Sequence, residues 1–390
     1  MRGSDAITSA IVRRVSEAPV GRVELGAITG LGRAALAKRV RTLVDGDVLR
    51  ESTRSQGSVG RPQGILELHP GLGVVGAVDL GARHCSVGLV DLSGGPIEVE
   101  RAPLAIADGP DLVLDYVAET LTGLVQRSVS SDVPLLGLAV GVPGPVEFAT
   151  GRVVSPPIMP GWDGVSVSER LSERLGGLPV VVDNDVNIMA IGEYERRWSD
   201  HVSDFLYVKV GTGIGSGLIL GGDLYRGQQG AAGDIGHSRS LAHSEVLCEC
   251  GNIGCLEAVA SGRALVRQLQ AAGRSDMTST SDLVAALQAG DEEVIGVVQV
   301  AGTLIGETLS SVVRCLSPEV VVIGDRLAEA SGHLVGAIAR AVRRSVADRG
   351  PAIDIRSGDG GDLAGIFGAA RLATVRVVTD EQIGRWVAAS

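Results

Sequence analysis

Apolar residues near the N-terminus recur every three or four positions, the spacing of one helical face. A helix–helix–turn–helix order is predicted, with Gly30-Leu31-Gly32 as the turn between the last two helices. The second and third helices are expected at Arg22–Thr29 and Arg33–Asp45. The apolar positions of the three helices are, in chain order, Ile7, Ile11, Val15; Val23, Leu25, Ile28; and Leu36, Val40, Leu43, Val44.

A short strand, a polar loop and a second strand follow the third helix. Residues 48–50 and 65–68 are mostly apolar, whereas the stretch between them is rich in Gly and Ser and carries Arg54 and Arg61. Strand, basic loop and strand after three helices is the pattern of a winged helix-turn-helix. We therefore expect a DNA-binding domain at 1–64 and a separate body at 65–390.

The pattern changes to alternating strands and helices from Gly73 onward. Two strand–turn–strand hairpins are predicted, one around Gly81 and one around Gly213, each followed by strands and helices. This order predicts an α/β fold with two similar halves and a cleft between them. Gly-rich hairpin tips allow backbone N–H groups to approach a phosphate closely, although many α/β turns are Gly-rich for other reasons.

Composition supports a folded, multi-domain chain. Of 390 residues, 45% are hydrophobic and 21% charged, enough for a substantial core. The 55 glycines show no collagen period, and no run of 18 uncharged apolar residues predicts a membrane span. Residues 1–10 lack a signal-peptide pattern, so a cytoplasmic location is expected.

The charge is uneven along the chain, and this asymmetry suggests how DNA could be bound. Residues 1–62 hold 11 Arg and Lys against 6 Asp and Glu, whereas the whole chain carries a net charge of −11. Base contacts are expected from Arg33 and Lys38 on the third helix, and phosphate contacts from Arg41, Arg54 and Arg61. The alternative is a three-helix protein-interaction module with solvated arginines.

Three of the five cysteines predict a structural metal site. Cys248, Cys250 and Cys255 lie within eight residues, with Gly251 and Gly254 between them. Zinc prefers four tetrahedral N or S ligands, and either His237 or His243 could be the fourth. The alternative is a cluster of free thiols, which would oxidise readily. Cys85 and Cys315 lie in apolar surroundings and are expected in the core.

Several motifs together resemble the ROK family of repressors, open reading frames and sugar kinases. They are Asp79-Leu80-Gly81, Asn184-Asp185, Gly211-Thr212-Gly213-Ile214-Gly215, Gly236-His237, the Cys-x-Cys-Gly-x-x-Gly-Cys-x-Glu segment, and Gly60-Arg61-Pro62. The last of these lies at the end of the predicted N-terminal DNA-binding domain, which we call the head. The resemblance implies an actin/hexokinase-like body of two lobes, a structural zinc, and a homodimer or homotetramer. The N-terminal head resembles the family's transcriptional-regulator branch.

The resemblance also implies a sugar site in the interlobe cleft, near 184–185 and 234–257. Asn184, Asp234 and Glu257 would contact sugar hydroxyls. His237 would bind both sugar and zinc. Asp185 matches the general base of the family's kinases. The corresponding nucleotide residues would be Asp79, Gly81, Gly211, Thr212, Gly213, Gly215 and Gly324.

Three departures from the family pattern bear on catalysis. Asp234 replaces the usual Glu, Ala82-Arg83 replaces Gly-Thr in the first phosphate hairpin, and Asp325-Arg326 replaces a Gly-Gly pair after Gly324. Asp185 is thus retained, whereas the residues expected to bind ATP and Mg²⁺ differ from the family pattern. We expect a sugar-responsive repressor that binds operator DNA. The alternative is an ATP-dependent, glucokinase-like sugar kinase, or a bifunctional kinase and regulator.

Overall fold

The protein is described here from a computed structural model, which covers residues 2–17, 19–53, 64–240, 245–346 and 353–389. Three residues singled out from the sequence lie outside these ranges: Arg54, Arg61 and His243.

The N-terminal head is a winged helix-turn-helix, as predicted. Its helices and strands are α1 (Arg2–Glu17), β1 (Val20–Gly21), α2 (Arg22–Thr29), α3 (Arg33–Asp45), β2 (Leu49–Thr53) and β3 (Gly64–Leu68). The strands form an antiparallel sheet in the order β1-β3-β2. Because β3 belongs to this sheet, we propose that the head ends after Leu68.

Burial in the head matches the predicted stripes except in α2. Ile11, Val15, Leu36 and Val40 are buried, whereas in α2 only Leu25 is buried and Val23 is 85% and Ile28 54% exposed. Successive residues turn by about 100° around a helix, which places Val23 and Leu25 about 200° apart. Leu25 faces the core, and Val23 therefore faces solvent; Ile28, near the end of the helix, is exposed although it lies only about 60° from Leu25.

The first lobe of the body follows directly. Its elements are β4 (Val74–Leu80), β5 (Cys85–Asp91), β6 (Pro96–Ala102), α4 (Pro110–Ser128), β7 (Leu135–Val142), β8 (Val146–Glu147), β9 (Arg152–Val153), α5 (Val167–Arg174) and β10 (Val180–Asn184). The main sheet has the order β10-β7-β4-β5-β6. Strands β4, β7 and β10 are parallel, and β4, β5 and β6 form an antiparallel meander.

The second lobe repeats this topology, which confirms the prediction of two similar halves. Its strands are β11 (Phe205–Val210), β12 (Ile214–Leu220), β13 (Asp223–Tyr225), β14 (Val320–Gly324) and β15 (Asp354–Ser357), in the order β13-β12-β11-β14-β15. Its helices are α7 (Leu256–Ala260), α8 (Gly262–Ala271), α9 (Thr280–Gln288), α10 (Glu292–Leu316), α11 (Arg326–Ala330) and α12 (Gly332–Val346).

Helix α10 is long and apolar enough, by length and composition alone, to cross a membrane. Its apolar sequence is interrupted by the charged Glu307, and one face of the helix packs against α12 in the core of the second lobe. Gly302 and Gly306 lie so close to α12 that a Cβ atom on either would meet its backbone below 3 Å. Cys315, near the end of α10, is exposed, so its expected place in the core was wrong; Cys85 is buried as predicted. Cys315 lies two positions after the buried Val313 and therefore about 200° around the helix from it.

The remaining helices join the lobes and the head. They are α6 (Asp185–Arg197), α13 (Ala364–Val377) and α14 (Asp380–Ala389). Helix α6 starts at Asp185, because the Asn184 side chain caps it by accepting hydrogen bonds from the amides of Val186 and Asn187. Helix α1 of the head contacts α13 and α14, and its buried residues share a continuous apolar cluster with Val377 and Trp386.

Candidate functional site in the interlobe cleft

A cavity of about 900 Å³ lies between the lobes. It brings together most of the site residues predicted from the sequence: Asp79, Asn184, Asp185, Gly211, Thr212, Gly213, Gly215, Asp234, His237 and Glu257. Gly81 and Gly324 do not line it. They pack against side chains instead, since a Cβ on Gly81 would lie 2.1 Å from the His84 ring and one on Gly324 would lie 2.0 Å from the Tyr207 hydroxyl.

Asn184 and Asp185 stand at the junction of β10 and α6. The Asn184 Nδ2 atom donates to the Gly144 carbonyl at 3.1 Å, which fixes the amide plane. Asp185 is buried, and its Oδ1 accepts from its neighbour's amide N–H at 2.9 Å. A carboxylate offers about four acceptor positions, so hydroxyl donors in the cavity can still be accepted.

Lys209, a residue not singled out from the sequence, pairs with Asp185. It lies on β11, and its Nζ donates to Asp185 Oδ2 at 2.6 Å. Burial acts to lower the pKa of Lys209, but the carboxylates of Asp185, Asp325 and Asp79 outweigh it and raise that pKa. The ammonium therefore stays charged at neutral pH. A charged residue inside the apolar strand Phe205–Val210 was the sequence signal for this pair.

The Gly211–Gly215 hairpin joins the phosphate side of the cleft to the predicted sugar residue Glu257. Glu257 Oε2 accepts from the Ile214 amide at 2.9 Å. His237 and Asp234 lie beside this hairpin, with His237 Nε2 4.0 Å from Asp234 Oδ1. Gly236 permits the approach, because a Cβ there would lie 2.1 Å from the Ile214 carbonyl oxygen.

The other ring nitrogen of His237 faces the cysteine cluster. Its Nδ1 is 3.7 Å from Cys248 Sγ, and Cys250 Sγ is 3.7 Å from Cys255 Sγ. The four ligand atoms all lie within 4.8 Å of one another. Zn–S bonds of about 2.3 Å give tetrahedral ligand separations of about 3.8 Å, so this arrangement could hold a metal ion.

The chain around the cysteines is folded as a tight knuckle. Leu247 and Ile253 form an antiparallel bridge, and the Cys248 amide donates to the Asn252 carbonyl at 2.8 Å. Gly251 and Gly254 adopt positive φ angles of 87° and 79°, which other residues rarely adopt. These glycines let the three thiols converge, as the sequence indicated.

On the side of the cleft where the sequence predicts nucleotide phosphates, two side chains of the protein stand at the hairpins. Asp325 adopts a φ of 80°, a region that favours glycine. Its carboxylate lies against Gly211, at 1.9 Å from where a Cβ would be. In the first hairpin, His84 Nε2 lies 3.8 Å from Asp79 Oδ2, with its ring over Gly81. Both places that would approach a phosphate thus carry a side chain.

A sequence model described as the ROK family matches residues 75–376. The putative xylose repressor of Caldicellulosiruptor sp. (strain Rt8B.4) is 29% identical over 321 residues, which cover 79% of each chain.

Solved structures extend the comparison. A ROK family transcriptional regulator, described as a homologue of the E. coli MLC protein, superposes with a TM-score of 0.77 at 24% identity, over 98% of this chain and 99% of that chain. A ROK family glucokinase from Streptomyces griseus in complex with glucose and AMPPNP superposes with a TM-score of 0.69 at 26% identity. That alignment covers 99% of the kinase but 77% of this chain. The family model spans both lobes and the cleft, and the chain therefore belongs to the ROK family.

Proposed function

We propose that this protein is a sugar-responsive transcriptional repressor that binds operator DNA through its head. The observation that carries the proposal is the winged helix-turn-helix packed onto a ROK body whose cleft brings the expected sugar residues together, while His84 and Asp325 stand at the hairpins expected to take phosphates. A relative named as a putative xylose repressor supports it. A repressor acts where the chromosome is, so the proposal includes a cytoplasmic location.

The head supports DNA contact through α3. Arg33, Lys38 and Arg41 are exposed on this helix, and α3 begins directly after Gly32 with its first turn open to solvent. A recognition helix reads base edges from its N-terminal half, so we assign base contacts to Arg33 and Lys38 and a phosphate contact to Arg41. Two such helices in a homodimer or homotetramer would match half-sites about one helical turn apart.

The sugar side supports binding of a polyhydroxylated ligand. Asn184, Asp185, Asp234, His237 and Glu257 place carboxylate, amide and imidazole groups around one cavity, and such groups pair with hydroxyls in both directions. A sugar that binds one interlobe geometry more tightly than another shifts the equilibrium between them. Such a shift is the means by which sugar would alter the head's fit to DNA.

We assign the metal as structural zinc bound by His237, Cys248, Cys250 and Cys255. Burial and hydrogen bonding to Cys250 raise the pKa of the Cys255 thiol to about 12, so this thiol would ionise at neutral pH only with a cation beside it. Zinc bound at Nδ1 would fix the His237 ring and leave Nε2 directed toward Asp234.

Replacing one ligand tests the metal assignment. Cys250→Ser should lower the zinc content well below one ion per chain and weaken sugar binding, because His237 loses its anchor. Elemental analysis and sugar titration measure the two effects. Cys315→Ser, at an exposed cysteine far along the chain, is the control and should change neither. Unchanged zinc content in Cys250→Ser would contradict the assignment of these residues as metal ligands.

A sugar kinase is the second candidate, because Asp185 is retained. A general base must accept a proton from the attacking hydroxyl, and the Lys209 ammonium 2.6 Å from Asp185 stabilises the ionised carboxylate, which makes that transfer less favourable. Asp325 adds negative charge where the phosphates of a nucleotide would lie. These contacts favour a binding role over catalysis.

A titration of duplex DNA tests the proposal. The full-length protein is mixed with the region upstream of its own coding sequence, with and without D-xylose or D-glucose, at low salt. Typical allosteric coupling predicts that one sugar changes duplex affinity by about 5- to 150-fold. L-Glucose, of the same composition but opposite hand, should have no effect. Failure to bind any duplex, or ADP release with these sugars and ATP, would contradict it.

A further inference from the structure

We propose that Arg371 is the positioning residue that couples sugar occupancy of the cleft to the orientation of the DNA-binding head. This inference rests on the proposed function and specifies the route by which the two sites are connected. Arg371 lies on α13, between the C-terminal part of α6 and the C-terminal end of α1.

The first link is α6 itself. Its N-terminal end carries Asn184 and Asp185 in the cavity, and Glu195 lies near its other end. A helix transmits a displacement of one end to the other, since its backbone is hydrogen-bonded throughout. A sugar that shifts Asn184 and Asp185 therefore also shifts Glu195.

The second link is a backbone contact between α6 and α13. A Cβ on Gly192 would lie 2.1 Å from the Ala364 carbonyl oxygen, and one on Gly368 would lie 1.8 Å from the Ile188 carbonyl oxygen. Helices in direct backbone contact, with no side chain between them, have little room to slide independently. Glu193, also buried, accepts from the Gly360 amide at 3.0 Å and holds the segment before α13.

The third link is the Arg371 side chain. Its Nε lies 3.3 Å from Glu195 Oε1, and its Nη1 donates to the Ser16 carbonyl at the end of α1. The last carbonyls of a helix lack partners within the helix and carry partial negative charge, so a guanidinium there stabilises the end. The Arg371 side chain is mostly buried, with 19% exposure, so water competes little for these contacts.

The last link runs within the head. Arg39 on α3 donates through Nη1 to the Thr8 hydroxyl on α1 at 3.3 Å. Ile11 and Val15 of α1 share one buried cluster with Val40 of α3. A displacement of α1 therefore carries the predicted recognition helix with it.

A second contact between the same helix and the body provides a matched control. Arg13 pairs with Asp380 of α14 at 2.6 Å, but their side chains are 50% and 71% exposed. Exposed pairs contribute little to stability, and this pair joins α1 to α14 rather than to α13. Arg13→Ala thus removes a head–body ion pair without interrupting the route through Arg371.

The test compares Arg371→Ala, Glu195→Gln and Arg13→Ala with the wild type in the full-length protein. Sugar affinity is measured by calorimetry with D-xylose and D-glucose. Duplex affinity is measured with and without the sugar, and hydrogen exchange of residues 2–17 is followed without DNA. Thermal unfolding verifies that each variant is folded. Glu195→Gln keeps the size of the side chain, so it still tests the route if Arg371→Ala does not fold.

We expect Arg371→Ala and Glu195→Gln to bind sugar and duplex separately, while the effect of sugar on duplex affinity falls from about 5- to 150-fold to within about twofold. Arg13→Ala should keep the wild-type effect. Sugar should change hydrogen exchange at the end of α1 in the wild type and in Arg13→Ala only.

Other results would overturn the inference in distinguishable ways. If both Arg371→Ala and Glu195→Gln retain the wild-type sugar effect, the route is wrong although the proposed function stands. The same follows if sugar alters duplex affinity in the wild type without changing exchange in α1. If the wild type binds sugar but its duplex affinity never changes, the proposed function and the inference both fail.

Discussion

Lys209 determines what Asp185 can do in the cleft. The ammonium lies 2.6 Å from a buried carboxylate that, in the family's kinases, would accept a proton from the substrate. Three carboxylates, from both lobes, stabilise the charged form of Lys209, so the ammonium is a permanent part of the site. Lys209 thus favours sugar binding over catalysis in a pocket that retains the residues expected to contact sugar.

Removing Lys209 should destabilise the protein. Lys209→Met leaves the Asp185 carboxylate buried without its partner, which costs about 3–5 kcal/mol of unfolding free energy. Urea unfolding measures the loss, and the double variant Lys209→Met/Asp185→Asn should regain most of it. Arg385→Ala, which breaks an exposed pair with Glu381, is the control and should show no measurable change. Equal stability of the single and double variants would contradict the pairing.

The pair formed by His84 and Asp79 should make stability depend on pH. The Asp79 carboxylate raises the pKa of His84 above its ordinary 6.5, more than burial lowers it. Folding then binds a proton, so this stabilisation is fully present below pH 6.5 and is lost as pH rises through the folded-state pKa. Thermal midpoints above pH 6.5 should fall more in the wild type than in His84→Gln. Parallel profiles would show that His84 makes no such contribution.

At the scale of elements, the contact between α6 and α13 depends on glycine. These helices meet at Gly192 and Gly368, each facing a backbone atom of the other helix. Helix α13 also approaches the cleft, since a Cβ on Gly365 would lie 2.6 Å from Asp79. The glycines therefore let α6 and α13 pack closely against each other and let α13 pack against Asp79 in the cleft. The same helix α13 also contacts the head.

A methyl group at this contact should be costly. Gly368→Ala places a Cβ 1.8 Å from a carbonyl oxygen, and such overpacking typically costs about 1–3 kcal/mol. Gly296→Ala is the matched control: it lies in the helix α10 with nothing within 4 Å, so the better helix propensity of Ala should stabilise by up to about 1 kcal/mol. Urea unfolding compares them. A Gly368→Ala variant as stable as wild type would show that the helices separate easily.

Elements were more predictable from the sequence than their contacts. The bounds of α2, α3 and β4 follow from apolar spacing and from glycine turns, which are local properties. The pairing of Lys209 with Asp185 depends on two chain segments meeting in the cleft, and Arg371 reaches a carbonyl 355 residues away. No local pattern contains such contacts, so the sequence indicated the residues of the sugar side but not the groups that restrain them.

At the scale of the whole molecule, a basic head is joined to an acidic body. The chain has a net charge of −11 although residues 1–62 carry an excess of Arg and Lys. An acidic body would be repelled by DNA phosphates, so the proposed contact with a duplex would be confined to the head. Specificity and affinity should then depend on different head residues.

Two substitutions on α3 should separate specificity from affinity. Lys38→Ala should weaken binding to the operator by about 1–3 kcal/mol and relax base preference. Arg41→Ala should weaken binding to all duplexes alike and reduce the salt dependence by about one unit of slope. Anisotropy titrations with operator and scrambled duplex measure both, with Arg376→Ala on the body as the control. Equal, sequence-blind losses for Lys38→Ala and Arg41→Ala would contradict base readout by this helix.

The joint between head and body is short. Strand β3 ends at Leu68 and β4 begins at Val74, and the His69 amide donates to the Val48 carbonyl at 3.1 Å within that joint. A connection of so few residues restricts how far the head can move relative to the body. In an assembly of two copies, the span between their α3 helices would then depend on how the bodies associate and on the head orientation that α13 sets, and the proposed operator would need half-sites at that spacing.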